Sequence, residues 1–399
     1  MKGKVWKLLG FVLILIFALS VIYAVSVVLI TSGVGANING LITFGIAAKI
    51  NVGFEPWDVA YDSGKGEIFV ANWGANFVSV ISDRNNSVVA NITVGSAPSY
   101  LAYDSNKSEI FVSNSESNTV SVITDRNNTV VATIPVDFPA GLAYDSAKGE
   151  IYVGNSVPET VSVISDSTDA VVANVTSSGT SLGYIPRCVA YDSGKDEMFV
   201  SGSGYYSGVV WAIADSNNSV VATIPVGDDP NGLAYDSAKG EIFVANRESN
   251  SFSVISDRTN TLVSTTTGPA VNDYADGPRG VAYDSGKGQI YVINSLTDTV
   301  WVISDNTNNI IATISVIGPM GIALDSAKGE IYVVSGDNTV SVISSPNITV
   351  VILLVVIVAL TLCVVALALR KSARTHSIQS RQIESELVSL SMSVLLHTL

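Results

Sequence analysis

From about residue 41 to residue 345 the apolar residues come in short runs rich in Val, Ile, Tyr and Phe. Each run ends at a cluster of Asp, Ser, Asn, Lys or Gly. No 3.6-residue period appears inside them, so they predict strands rather than helices. The unit 139–178 shows the pattern: strands at 141–144, 150–154, 161–165 and 170–176, the first pair joined by Asp145, Ser146, Ala147, Lys148 and Gly149. Asp and Ser suit the start of a tight turn, and Gly149 can take the positive φ that closes it. Two stretches break this texture. Residues 8–30 and 348–369 are uncharged and apolar, long enough as helices to span a hydrocarbon core of about 30 Å.

The strand pattern repeats. Ala-Tyr-Asp-Ser recurs with its tyrosine at Tyr61, Tyr103, Tyr144, Tyr191, Tyr235 and Tyr283, and Leu324 takes that place in a seventh copy, at spacings of 42, 41, 47, 44, 48 and 41 residues. A proline stands five residues before each: Pro56, Pro98, Pro139, Pro186, Pro230, Pro278 and Pro319. Four antiparallel strands per repeat, seven times over, predict an all-β, seven-bladed β-propeller. The last repeat has three strands, and 47–53 matches the fourth strands at 131–136 and 221–227. Residues 41–52 are therefore expected to complete the last blade and leave no open sheet edge.

The runs Ile68-Phe69-Val70-Ala71-Asn72, Ile151-Tyr152-Val153-Gly154-Asn155 and Ile290-Tyr291-Val292-Ile293-Asn294, with the Thr-Val-Ser-Val-Ile strands at 119–123, 160–164 and 339–343, resemble the YVTN-type β-propeller repeat proteins. The resemblance covers 41–345. It implies the propeller fold and the archaeal or bacterial cell-surface and surface-layer proteins in which such repeats are common. One fold hosts many sites, so it implies no particular ligand.

Lys2, Lys4 and Lys7 precede the first apolar run, and Arg370, Lys371 and Arg374 follow the second. The positive-inside rule then puts both termini in the cytoplasm. The expected order is a cytoplasmic N-terminus 1–7, a transmembrane signal anchor 8–30, a linker 31–40, the propeller 41–345, a transmembrane helix 348–369 and a cytoplasmic tail 370–399. The first run also reads as a secretory signal cleaved near Gly35 or Ala36, though its length exceeds the usual apolar core of one. Either way the propeller is extracytoplasmic and the bilayer is a partner. Seven Asn-x-Ser/Thr sequons, at Asn85, Asn91, Asn106, Asn127, Asn174, Asn217 and Asn347, lie in the exported part and permit glycosylation.

Charge and composition then exclude chemistry. The chain carries 35 acidic and 21 basic residues, a net charge of -14. An acidic chain lacks the cationic surface that displaces counterions from nucleic acid. Its two cysteines cannot build a disulfide framework, and both histidines, His376 and His397, fall in the tail. Residues 31–347 therefore hold no histidine for a Ser-His-Asp triad or a metal site. No cofactor and no catalytic residue is expected. Cys188, on an inner strand, reads as a small buried thiol. What survives as an enzyme is a lactonase- or hydrolase-like propeller using carboxylates of the outer face, with or without Ca²⁺.

Comparing the copies with one another separates the two faces. Lys65, Lys107, Lys148, Lys195, Lys239, Lys287 and Lys328 occupy one turn position, and Arg84, Arg126 and Arg258 another, on the face expected to look toward the membrane. They read either as contacts to anionic headgroups or as partners of the Asp and Glu in the same turns. The other face varies. Its longer loops, 177–185, 201–208 and 266–277, bring Tyr184, Tyr205, Tyr206, Asp273, Tyr274 and Asp276, residue types common on recognition surfaces, although Gly-Ser-Gly-Tyr-Tyr-Ser-Gly at 202–208 reads equally as a tolerated loop expansion. The residues after the seven prolines, Trp57, Ser99, Ala140, Arg187, Asn231, Arg279 and Met320, are expected to ring the channel mouth. There Arg187 and Arg279, flanking Asn231, suit a carboxylate or an acidic sugar, unless Asp228, Asp229 and Asp276 neutralise them; Trp57 suits a sugar ring or else only plugs the channel. Together these features predict a membrane-anchored, non-enzymatic recognition, adhesion or surface-layer module. Its distal face would engage a glycan, an envelope component or a protein.

Overall fold

The computed structural model describes residues 44–344 except 178, 180, 206 and 270–276, and beyond that range only 361, 388 and 389. Residues 45–344 build seven four-stranded antiparallel sheets. In blade 3 the strands are Pro139–Asp145, Glu150–Asn155, Thr160–Ser165 and Ala170–Val175, within two residues of the sequence expectation. Blade 1 covers 56–93, blade 2 98–135, blade 4 185–226, blade 5 230–267 and blade 6 278–315. Blade 7 takes its inner three strands from 319–344 and its outer strand from Gly45–Asn51, with Gly45 opposite Ser344. Both ends of the propeller thus leave from the face carrying the turns after the first and third strands, here the turn face. The opposite side is the loop face.

The expected membrane helices 8–30 and 348–369, the linker 31–40 and the tail lie outside the described residues, Thr361, Val388 and Ser389 apart. Among the described residues no helix is long and apolar enough to cross a membrane.

Burial explains the sequence texture. Second strands such as Glu67–Asn72 are covered on both faces and read as near-continuous apolar runs. Fourth strands alternate, as in Thr129–Pro135, because one face meets water. The cores lie between blades: Phe69, Val78 and Val80 of blade 1 pack with Leu101, Ile110 and Val112 of blade 2. Each outermost strand also carries a bulge. Val88 pairs with Ile81 and Ala90 with Val80, so Val89 is the extra residue, and the same shift recurs in all seven blades. A bulge twists an outer edge away from pairing with another chain.

The repeated turn-face residues bind blade to blade. Asp62 Oδ1 accepts from the N–H of Gly64 at 2.8 Å and of Lys65 at 3.1 Å, and the equivalent Asp in each other repeat caps its own turn. The next blade's tyrosine hydroxyl faces that Asp: Tyr103 on Asp62, Tyr144 on Asp104, Tyr235 on Asp192, Tyr283 on Asp236 and Tyr61 on Asp325. The lysines reach further. Lys65 Nζ donates to the main-chain oxygen of Asp125 at 2.6 Å and Lys195 to that of Asp257 at 2.8 Å. Lys107, Lys148, Lys239 and Lys328 do the same to Asp166, Asp215, Asp305 and Asp83. Each partner is in the following blade. The lysines are therefore inter-blade ties, because an extended lysine spans the gap between adjacent turns, and Lys65 and Lys195 also pair with Glu67 and Glu197 of their own turns at 3.0 and 3.1 Å.

One further expectation changes. Residues 201–208 are not a loop insertion: Glu197–Gly204 and Ser207–Ala214 pair as far as Gly204 opposite Ser207. Glycines allow this longer hairpin, since a Cβ on Gly202 would lie 2.3 Å from Cη2 of Trp211.

Candidate functional site at the channel mouth

The first strand of each blade lines the central channel, and its pairing slips just after the proline. Pro230 faces Asn246 and Leu233 faces Val244, so Asn231 and Gly232 together oppose one residue. This inner bulge turns the side chain after the proline toward the loop-face mouth. Of the seven residues expected there, Trp57, Asn231, Arg279 and Met320 line a cavity of about 190 Å³. Ser99 and Ala140 are buried in the wall instead. Arg187 is half-buried and off the cavity lining, its Nε shielded and without a hydrogen-bond partner.

Arg279 sits over the Trp57 ring, its guanidinium carbon 5.7 Å from the centroid. Trp73 leans on Trp57 from outside at 6.4 Å and 38°. Trp73 belongs to a one-turn 3-10 segment, Trp73–Ala75, tied by its N–H to the Glu55 oxygen at 2.8 Å. Side-chain caps fix the surrounding loops: Asn338 accepts from the Glu55 N–H at 2.9 Å, and Asn76 and Asn118 accept from Ala97 and Phe138 at 3.0 Å.

Three further residues belong to the cavity, and sequence reasoning missed two of them and their meeting with the third. The second position after the proline is glycine in blades 3, 5, 6 and 7 (Gly141, Gly232, Gly280, Gly321). At Gly141 and Gly232 a Cβ would lie 2.4 and 2.2 Å from the next blade's main-chain oxygen. Blades 1, 2 and 4 carry Asp58, Tyr100 and Cys188 there, and all three line the cavity. The signal was legible in the same comparison of copies, taken one residue further. Asp58 Oδ2 accepts from the Leu101 N–H at 3.1 Å. Burial nevertheless pushes its carboxyl up to about 7, against the Val59 and Leu101 N–H groups, which favour the charged form. Burial, with the Cys188 and Asp58 charges, pushes the Tyr100 phenol up to about 12, while Trp57 and Arg187 pull it down. Burial likewise pushes the Cys188 thiol up to about 11, so it is a neutral thiol at physiological pH rather than a nucleophile.

The remaining expected residues scatter. Tyr184 packs edge-on against Trp211, centroids 6.1 Å apart at 72°, as part of the core between blades 3 and 4. Tyr205 is 88% exposed at the hairpin tip. Tyr206, Asp273, Tyr274 and Asp276 lie outside the described residues. Asp229 pairs with Arg247, and the Asp228 N–H donates to Ser249 at 3.1 Å. Among the sequons, Asn85, Asn106, Asn127 and Asn217 are exposed on turn-face turns. Asn91 and Asn174 lie on outer strands with their Oδ1 accepting from Ser79 and Ser162 at 2.9 and 2.8 Å. Asn347 is outside the described residues. Among the described residues no three His, Cys, Asp or Glu side chains come together to hold a metal ion.

No protein-family model matches this chain, and no curated protein matches it. Among solved structures, one described as Kuenenia stuttgartiensis Hydrazine Synthase is similar with a TM-score of 0.66 at 17% identity, over 73% of this chain and 96% of that one. At that identity the likeness is one of fold, and matches to 1567 chains mark the fold as too widely shared to specify a function.

Proposed function

We propose that this protein is a membrane-anchored, extracytoplasmic recognition module of the YVTN-like cell-surface kind, and that it binds its ligand at the loop-face mouth of the channel. One observation supports this most: Trp57, Arg279 and Asn231 meet Asp58 and Tyr100 around one small cavity, whereas the turn-face lysines are spent between blades. An aromatic wall, a cation and a few convergent polar groups are the makings of a small-ligand site. The anchoring rests on the apolar runs at 8–30 and 348–369 and their basic flanks. The full-length chain is to be screened against a glycan array and against cell-envelope fractions. Equal binding by the Arg187→Ala, Arg279→Ala double variant sinks the channel-mouth assignment. Protease treatment of intact cells tests the topology: a protected propeller rules out the outside placement.

A second reading is an enzyme of the lactonase or hydrolase class, and Asp58 is what favours it. A carboxyl titrating near 7 in a cavity is poised for proton transfer. Hydrolysis of a panel of lactones and esters, lost in Asp58→Asn, would establish it; equal turnover by both proteins removes it.

A further inference from the structure

Resting on the recognition reading, we infer that the channel cavity takes a hexuronic acid unit, a sugar ring bearing one carboxylate, free or at the end of a glycan. The cavity presents three kinds of surface. Arg279, held over the Trp57 indole at 5.7 Å, brings a guanidinium to the cavity lining, a group whose planar geometry suits a carboxylate better than a hydroxyl. Asp58, Tyr100 and Asn231 line the same space with acceptors and donors suited to ring hydroxyls. Trp57 offers the C–H face of a sugar an apolar wall.

Size and charge narrow the choice. A cavity of about 190 Å³ is smaller than the ~300–1,000 Å³ of drug-sized sites, so it admits one sugar residue and no chain. Beyond the mouth, Trp73 extends the aromatic surface outward, tilted 38° from Trp57, where a following sugar can stack. The loops around it carry acids, Glu55, Glu116 and Asp137 among them, which repel a polyanion. The ligand's negative charge is therefore confined to the residue in the cavity, and any sugars attached to it are neutral.

Binding to the purified full-length chain is measured by calorimetry and tryptophan fluorescence with methyl β-glucuronide, methyl β-glucoside, inorganic phosphate, and a neutral oligosaccharide ending in glucuronic acid. The glucuronide is expected to bind about tenfold or more tighter than the glucoside, the worth of one charge-assisted hydrogen bond, and Arg279→Gln is expected to erase that ratio. If Arg279→Gln does not fold, the wild-type ratio decides alone. Trp73→Ala separates the two sources: weakened binding of the oligosaccharide with the monosaccharide unchanged identifies a glycan end, and no change in either identifies the free sugar acid. Equal affinity for glucuronide and glucoside, or phosphate binding that displaces the glucuronide, overturns the inference. Array or envelope binding abolished by the arginine double variant would then still stand for the recognition reading, so the two failures are distinguishable.

Discussion

Lys328 in the last blade donates to the main-chain oxygen of Asp83 in the first, across 245 residues of sequence. The same tie joins blades 1 to 2, 2 to 3, 3 to 4, 4 to 5 and 5 to 6. The junction between blades 6 and 7 is built differently. There Leu324 replaces the tyrosine, and Lys287 Nζ turns back to Asp284 of its own blade at 2.9 Å while also reaching the Gly329 oxygen at 2.9 Å. Asp284 is buried, and Lys287 is the cation set against it.

Lys287→Met should therefore be the most destabilising of the seven lysine truncations. Lys148 and Lys239 also lie against buried carboxylates, at 3.9 and 3.8 Å, but Lys287 stands 2.9 Å from Asp284, which has no tyrosine of the next blade to fall back on. The others should cost about 0.5–1 kcal/mol each, a partly exposed charge-assisted bond discounted for screening. Leu324→Tyr restores the hydroxyl that the other repeats place against this Asp and should recover about 1 kcal/mol in the Lys287→Met background. Urea midpoints of the four proteins give the coupling directly, and additive effects would contradict it.

Gly232→Ala places a Cβ 2.2 Å from the Arg279 oxygen, main chain that cannot swing away. Forcing blades 5 and 6 apart should cost about 1–3 kcal/mol. Gly45→Ala, with nothing within 4 Å of the added carbon, is the control and should leave the melting temperature within error.

Tyr184→Ala removes an edge-on aromatic partner from Trp211, a pair worth about 0.5–1.5 kcal/mol beyond the area lost. Stability should fall and tryptophan emission should shift to the red as Trp211 meets water. Unchanged stability with lost ligand binding would instead place Tyr184 on a recognition surface.

Stability should decline as pH rises from 5 to about 7. Burial raises the carboxyls of Asp58, Asp125, Asp166, Asp215, Glu109 and Glu150. In each the folded state keeps a proton that the unfolded chain releases, so stability is greatest at low pH and is lost as pH climbs toward the folded value. For Asp58 that window runs from 3.8 to about 7. Asp337, lowered by its Thr339 hydrogen bond and by Lys49, works in the opposite sense. Thermal melts at pH 5, 6, 7 and 8 test the slope, and Asp58→Asn should flatten part of it.

Much of this architecture was legible because each blade solves the same packing problem. The tyrosine spacing set the blade count, the match of 47–53 to other fourth strands foretold the pairing of Gly45–Asn51 with Thr339–Ser344, and the proline offsets located Trp57, Asn231, Arg279 and Met320 at the cavity. What escaped was side-chain reach between blades. Lys107 lies beside Glu109 in sequence but bonds to Asp166, 59 residues on. Asp58, Tyr100 and Cys188 are far apart in the chain, and only closure of the ring brings them to one cavity. The stretch 201–208 reads in sequence as an inserted loop between second and third strands, and only the packing shows that Gly202 and Gly204 admit Trp211 and Tyr184.

The pairing of Gly45 with Ser344 also sets a schedule for synthesis. Of the described strands, the first to leave the ribosome needs the last as its neighbour. At about 5–20 residues per second, some 300 residues take roughly 15–60 s to make. For that interval blade 7 lacks members and the ring stays an open arc. Six blades have all their strands before the seventh is complete, so its long-range join is the natural last event of folding. A released chain ending before residue 339 would hold six finished blades and no ring, and hence no finished cavity, since Met320 and Gly321 would lack the blade that positions them.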